Sequence, residues 1–471
     1  MLLDDVKKIY FIGIKGVGMT MLAQFLHKRG LEIIGSDTEE KFMTDKVLSQ
    51  NNIFFYEEFS EVNIPQDVDL IIYSEAYNLE NNIEVETALE KKIKTINYGQ
   101  ALGEIFNTYD GIAVCGSHGK TTTSAWLGWI MKSAKLDPNV LVGSMVPQFQ
   151  GNSLVGKSNY LIAETDEYGN KLKYFFPKIV LLNNIDYDHP DFFSCEEEYK
   201  KVFIDFIRKI PKDGFLVANF NDQNISHIVD NNSQVKTISY AISENNEINQ
   251  KVDYLAYDIR QDNEYQKFRI KLPKLKNNNE LGEFKIQLLG DHNISNALAI
   301  VATSIELKIS LDKIKYALKS FLGTARRMEK LGEYKNAIII DDYAHHPTEI
   351  KTTLNGLKKK YPEKNIVVVF HPHTFTRTKI FFNEFARSFQ EADEIIILDI
   401  YGSAREKAGG VSSMDLVQKM KKIEHNARKK IQNINTLKEA EDYLRKNLKT
   451  NDVLLLMGAG DVFRIGENLV N

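Results

Sequence analysis

A short apolar run, Gly111-Ile-Ala-Val-Cys115, leads into Gly116-Ser-His-Gly-Lys-Thr-Thr-Thr123, and a helical pattern with Ala125, Leu127, Ile130 and Met131 follows. Strand, Gly-rich turn, Lys-Thr and helix in that order commit this part of the chain to an α/β unit with a phosphate-binding loop. The backbone N–H groups of such a turn and the helix N-terminus present partial positive charge to an anion. Lys120 reaches terminal phosphates and a Thr hydroxyl can hold Mg²⁺. The general loop has four residues between its first glycine and the Gly-Lys pair. Here two residues separate Gly116 from Gly119, which narrows the range of nucleotide enzymes.

The 471 residues are enough for two to four domains, and an apolar content of 43% supplies their cores. A net charge of −4, from 60 basic and 64 acidic residues, gives no nucleic-acid surface. Cys115 and Cys195 have no metal-ligand spacing and are too few for a disulfide framework. No run reaches the ~18 apolar residues of a membrane span, and Asp4, Asp5 and Gly13 break any signal-peptide pattern. A cytoplasmic protein with no integral membrane association is expected, as a monomer or homodimer.

Three segments follow, 1–107, 108–323 and 324–471. In the first, apolar runs at 8–12, 31–34 and 68–73 read as strands, with a nucleotide-type turn Gly13-Ile-Lys-Gly-Val-Gly18 after the first and Ser74 closing the last. Lys15 stands where a dinucleotide fingerprint wants glycine; its charge suits a diphosphate, with Asp37 at a plausible ribose distance. In the second, strands at 160–163 and 179–182 end on Glu164 and on Asn183-Asn184. Alternating residues between 235 and 289 predict antiparallel hairpins, a small sheet appended to the core. In the third, runs at 337–340, 366–369, 395–398 and 453–456 alternate with helical stretches and imply a parallel sheet whose ligands sit at strand C-terminal ends.

Glu164 ends a buried strand where a Mg²⁺ ligand belongs, with Glu167 as the nearby alternative. Asp188, His189 and Asp191 gather ligand-type side chains on one turn. Arg326 and Arg327 stand at a domain junction, where one of them can meet a transferring phosphate. The turns Asp341-Asp-Tyr-Ala-His-His-Pro-Thr-Glu-Ile350 and His371-Pro-His-Thr-Phe-Thr-Arg-Thr378 lack closed zinc-site spacing and read as substrate-orienting. On the residues alone, a P-loop ATPase acting as a switch or assembly factor and an oxidoreductase built on the first segment stay open.

Taken together, these motifs resemble the Mur ligase superfamily of ATP-dependent peptidoglycan ligases. Gly116-x-x-Gly-Lys-Thr-Thr122, Glu164, Asn184-Ile-x-x-Asp188-His189-x-Asp191, Gly290-x-His292-Asn293-x-x-Asn296, Arg326-Arg327-x-Glu329 and Asp342 are similar to its ordered motifs. The first Gly-rich turn with Met19, Ser36-Asp37, the two His turns, and Asp399-Ile-Tyr401 with Arg405-Glu406 resemble the branch that joins L-alanine to UDP-N-acetylmuramate. The branch that adds a whole tripeptide shares most of them. The resemblance implies an α/β fold of three domains: a Rossmann-like UDP-sugar domain, a P-loop ATPase domain with the appended antiparallel sheet, and a Rossmann-like C-terminal domain that binds the amino acid and closes.

The same resemblance implies ATP contacts from Gly116, Ser117, His118, Gly119, Lys120, Thr121, Thr122, His292, Asn293, Asn296, Arg327 and Asp342. Thr121, Glu164 and His189 would hold Mg²⁺. Gly13, Lys15, Gly16, Gly18, Met19, Ser36, Asp37 and Ser74 would hold the UDP-sugar. Lys120, His189, Arg327, His345, His346 and Arg377 would carry catalysis. Lys200 and Lys201 are candidates for the carbamylated lysine of several sister ligases.

Overall fold

The computed structural model describes residues 5–243, 251–262, 264–275, 279–402, 409–426 and 429–470; Arg405 and Glu406 lie outside them. The first segment folds into β1 (Lys8–Ile12), β2 (Glu32–Ser36), β3 (Phe54–Tyr56), β4 (Leu70–Tyr73) and β5 (Thr95–Asn97). They form a parallel sheet in the order β3-β2-β1-β4-β5. Chain order reverses between β1 and β4, so the turns at Gly13 and Ser74 flank the crevice where such sheets bind ligands.

The second segment supplies β6 (Asp110–Cys115), β7 (Asn139–Val146), β8 (Gly151–Leu154), β9 (Tyr160–Glu164), β10 (Ile179–Leu182), β11 (Phe215–Asn219), β12 (Lys236–Ile242), β13 (Tyr254–Gln261), β14 (Gln266–Lys271) and β15 (Glu280–Ile286). All ten join one sheet, β15-β14-β13-β12-β11-β10-β6-β9-β7-β8. The alternating stretch after residue 235 does give antiparallel strands, β13 to β15, but they extend the edge of the P-loop sheet. Its first strand, β12, runs parallel to both β11 and β13. β6 lies between β10 and β9, which puts Glu164 and Asn183 on either side of the loop it feeds.

The third segment forms β16 (Glu329–Tyr334), β17 (Ala337–Asp342), β18 (Asn365–Phe370), β19 (Glu394–Ile397), β20 (Lys430–Asn433) and β21 (Asp452–Met457), ordered β16-β17-β21-β18-β19-β20. Only β16 is antiparallel to its neighbour.

One apolar cluster runs unbroken from β1 and the helix Val17–Lys28 through Leu102, Ile105 and Phe106 to Phe175, Leu182 and Phe203. Phe106 and Phe175 meet edge to face at 5.2 Å, each contributing about 1.5–3 kcal/mol by burial. The first two segments are thereby welded by hydrophobic packing. The third has clusters of its own, around Phe370 and around Leu454, and meets the central domain near the P-loop through charged and imidazole side chains.

Candidate active site

The loop after β6 depends on two glycines. Gly116 has φ +124°, and a Cβ there would lie 2.7 Å from the Asn184 carbonyl oxygen; Gly119, φ +79°, caps the helix Lys120–Ser133. Asn184 staples the loop, its carbonyl accepting from Ser117 N and its side chain bonding both His118 N and His118 O. Lys120 Nζ donates to Gly116 O at 2.7 Å, Ser117 O at 3.2 Å and Glu167 Oε2 at 2.9 Å. Burial alone would lower the pKa of Lys120; the Glu167, Asp166 and Glu164 carboxylates outweigh it and hold the ammonium above its usual range. Thr122 is buried behind the loop.

Thr121 opens toward Glu164 at the end of β9, where burial raises the carboxyl pKa against the opposing pull of Thr121 and Lys120. Glu164 Oε2 is buried without a protein partner. An orphaned carboxylate oxygen beside a hydroxyl fits a hard divalent cation. His189, at φ +57°, comes together instead with Asp166 and Glu167, their ligand atoms within 4.8 Å of one another. Sequence reasoning offered Glu167 only as an alternative to Glu164 and missed Asp166. It also missed Tyr199, whose buried hydroxyl joins Glu167 Oε1 at 2.9 Å to Ser117 Oγ at 2.7 Å. Of the candidate lysines, Lys200 pairs with Glu196 at 2.8 Å and Lys201 is exposed.

The two junction arginines part company. Arg326, at φ +61°, bonds Asp341 at 3.1 Å and the Gly458 and Gly460 carbonyls at 2.7 and 2.9 Å, sandwiched between Tyr343 and Phe463. Burial pushes the Asp341 carboxyl up to about 7 against the pull of Arg326. Arg327 lies over Tyr343 with its nearest carboxylate, Glu349, at 3.7 Å. Its charge is felt at Glu164, His292 and Asp342. Asp342 is committed to its own turn, accepting from Met328 N and Ala344 N at 2.8 Å each.

A cleft of about 650 Å³ opens between Gly290, Asp291 and His292 on one side and Thr352, Asn355 and Gly356 on the other. Burial lowers the His292 pKa to about 4, so the ring is neutral, and Nδ1 has no protein partner. Asn293 bonds Leu289 O at 2.6 Å, and Asn296 Nδ2 bonds Asn293 Oδ1 at 3.2 Å. Asn296 Oδ1 also packs 2.8 Å from the Cβ position of Gly119, tying this motif to the P-loop.

From the third domain, His345, His346 and Arg377 all arrive. His346 caps the helix Pro347–Lys360. Burial lowers the pKa of both histidines, His345 to about 3. Arg377 makes a two-pronged pair with Asp188, Nη2 at 2.8 Å and Nε at 3.2 Å, both residues about 95% buried. Desolvation opposes the Asp188 charge, but His189 and Arg377 hold its carboxyl far below the usual range.

In the first crevice, Gly13 (φ +83°) and Gly18 are pressed against Tyr77 and Ser74, and against Tyr98, so neither admits a Cβ. Gly16 has room for one. Lys15 does not face the crevice. Its buried ammonium donates to the Thr38 and Glu40 carbonyls at 2.7 and 3.0 Å and faces Asp45 and Glu57, because these acceptors outcompete water for a buried charge. Asp37 accepts from Lys15 N and Thr38 N, which makes it a loop organiser. Met19 is core, and Ser36 Oγ is bound to Glu84, a buried acid that also accepts from Tyr10, Ser60 and Asn63. Ser74 lies at the crevice edge. Lys171 links this domain to the central acids, reaching Glu75 at 3.4 Å and Asp166 at 2.6 Å.

Three family descriptions match in order: the Mur ligase family catalytic domain over 8–110, the Mur ligase middle domain over 114–304, and the Mur ligase glutamate ligase domain over 326–460. The UDP-N-acetylmuramate–L-alanine ligase of Desulfitobacterium hafniense is 37% identical over 464 residues, 98% of this chain and 99% of that one. The enzyme of that name from Clostridium kluyveri is 39% identical over 466 residues, 99% and 98% of the two chains. Among solved structures, the UDP-N-acetylmuramate-alanine ligase of Thermotoga maritima superposes with a TM-score of 0.82 at 25% identity, covering 98% of both chains. A murein peptide ligase from Psychrobacter arcticus shares the fold, with a TM-score of 0.74 at 23% identity over 98% of both. With three domain matches in register and full-length relatives well above 30% identity, the chain belongs to the Mur ligase family.

Proposed function

We propose that this protein joins L-alanine to the carboxylate of UDP-N-acetylmuramate at the expense of ATP, a step of peptidoglycan synthesis. The observation that carries the reading is the meeting of three sets of groups in one place. The P-loop with Lys120, the acids Glu164, Asp166 and Glu167 with His189, and the third-domain turn with His345, His346 and Arg377 are joined by direct pairs: Lys120 and His189 with Glu167, His118 and Arg327 with Glu349, and Arg377 with Asp188. A phosphate-activating centre and an amino-acid-facing turn are thus within reach of each other.

The muramoyl carboxylate oxygen attacks the γ-phosphorus of ATP; the new P–O bond forms as the bond to ADP breaks. The amine of alanine then attacks the acyl carbon, the C–N bond forms, phosphate leaves with the C–O electron pair, and the ammonium proton is lost. Lys120 meets the phosphates, and Arg327 faces the charge that builds on the transferring group. Neutral His345 accepts an N–H from the incoming amine, and Arg377, held by Asp188, adds positive charge on the side that faces the amino acid's carboxylate. Mg²⁺ held by Thr121 and Glu164, and a second ion held by His189, would neutralise the phosphates and the attacking carboxylate. The crevice between Gly13 and Ser74 takes the UDP-sugar, and the 650 Å³ cleft beside His292 takes the base of ATP.

The test incubates the protein with ATP, Mg²⁺ and UDP-N-acetylmuramate, adds L-alanine, glycine, L-serine or the murein tripeptide separately, and weighs the products. L-alanine should give a product heavier by one alanyl residue, with one ADP per amide. Lys120→Ala should abolish ADP release. ADP release that ignores both sugar nucleotide and amino acid would sink the reading in favour of a plain ATPase.

A further inference from the structure

Glu349 occupies the third position of the helix Pro347–Lys360 and closes a capping box with His346. That local task uses Oε2, which accepts from His345 N at 3.0 Å and His346 N at 3.3 Å. The other oxygen leaves the domain. Oε1 lies 3.2 Å from His118 Nδ1 on the P-loop and 3.7 Å from Arg327 Nη1 at the domain junction. His345 Nδ1 is 3.3 Å from Oε2. His118 is held on its far side by Asp186, Nε2 to Oδ2 at 3.0 Å. An imidazole with a carboxylate at each nitrogen donates from both, which requires the imidazolium. Burial works against that charge, but Glu349 and Asp186 prevail and raise the ring's pKa to about 10. A helix cap needs none of this outward reach.

We propose that Glu349 is a positioning residue that couples the P-loop to the amino-acid side of the site. A triphosphate in the loop draws Arg327, leaves Glu349 to His118, and so fixes the His345–His346 turn for the incoming amine. The assignment of the two sides to ATP and to the amino acid rests on the ligase reading above. Coupling of this kind is a difference in affinity for one ligand caused by another, and is reciprocal.

Glu349→Gln separates the two tasks, because glutamine also serves at the third position of a capping box but carries no charge. In the full-length protein, hydrogen exchange at residues 343–350 is followed with and without Mg²⁺ and a non-hydrolysable ATP analogue. Wild type should gain protection there on nucleotide binding, and Glu349→Gln should lose that gain while the helix Pro347–Lys360 keeps its nucleotide-free protection. The KM for L-alanine should rise by about 5- to 150-fold, the usual range of coupling between sites, with the KM for UDP-N-acetylmuramate unmoved. Glu439→Gln, at the exposed capping box of Thr436, is the control and should leave every readout as in wild type. Nucleotide-induced protection retained in Glu349→Gln would reduce Glu349 to a helix cap and overturn the proposal. If Glu349→Gln does not fold, His118→Gln cuts the same link from the P-loop side and should lose the same protection. A wild type without alanine-dependent ADP release overturns the ligase reading, while the exchange measurement still decides the coupling.

Discussion

His118 carries a proton that its surroundings put there, since its two carboxylate partners come from different domains. Its folded pKa, about 10, stands above the ordinary 6.5. The stabilisation is therefore complete below about pH 6.5 and is lost as pH rises through about 10. The melting temperature of wild type should accordingly fall more steeply between pH 7 and 10 than that of His118→Asn; parallel slopes would mean that the ring is neutral in the folded protein. At this scale the sequence was legible where function is local. Gly116, Gly119, Lys120 and Thr121 sit where the motif alone puts them. It was silent where partners lie far along the chain. Nothing in Arg326-Arg327 says that the first is bound by residues more than 130 positions away while the second faces the site. Lys15 reads as a charge for a diphosphate until the carbonyls that hold it are seen.

Strands set the acids in place, and one glycine makes room for them. A Cβ on Gly143 in β7 would fall 2.1 Å from Glu164 Oε1 across the β7–β9 pair. Gly143→Ala should therefore displace the carboxylate and raise the Mg²⁺ concentration needed for half-maximal turnover by about 10- to 100-fold, the scale of losses seen when a metal ligand's support is removed. A magnesium titration of initial rates measures it, and an unchanged midpoint would remove Glu164 from the metal site. On the other crevice, Gly18→Ala would drive a methyl to within 2.6 Å of the Tyr98 ring, between the helices Val17–Lys28 and Tyr98–Phe106. The KM for the sugar nucleotide should rise with little change in the KM for ATP. The central strands of the first and third sheets were legible as apolar runs, because both their faces are covered; in the second sheet β7 and β11, also internal, were not read. The edge strands β3, β5, β8, β16 and β20 were not legible. Only half of such a strand is flanked by other strands, and its residues are correspondingly mixed.

Across the whole molecule, a shared apolar core joins the first two domains, and the third is held near the P-loop by charge. Removing one side of a buried ion pair costs about 3–5 kcal/mol because the other charge is stranded. Arg377→Met should therefore relieve itself by letting the third domain swing away, seen as a larger radius of gyration in solution scattering. Adding Asp188→Asn should restore the compact form without restoring activity, whereas an extended double variant would show that the pair does not hold the domains. The clasp of Arg326 on Gly458 and Gly460 has one further consequence. Those carbonyls follow β21, a strand late in the chain that lies at the centre of the third sheet between β17 and β18. On a translating ribosome, then, the junction stays unset until residues 458–460 have emerged. A polypeptide that stops short of residue 458 lacks the clasp that sets Arg326, and with it the backbone that leads into Arg327.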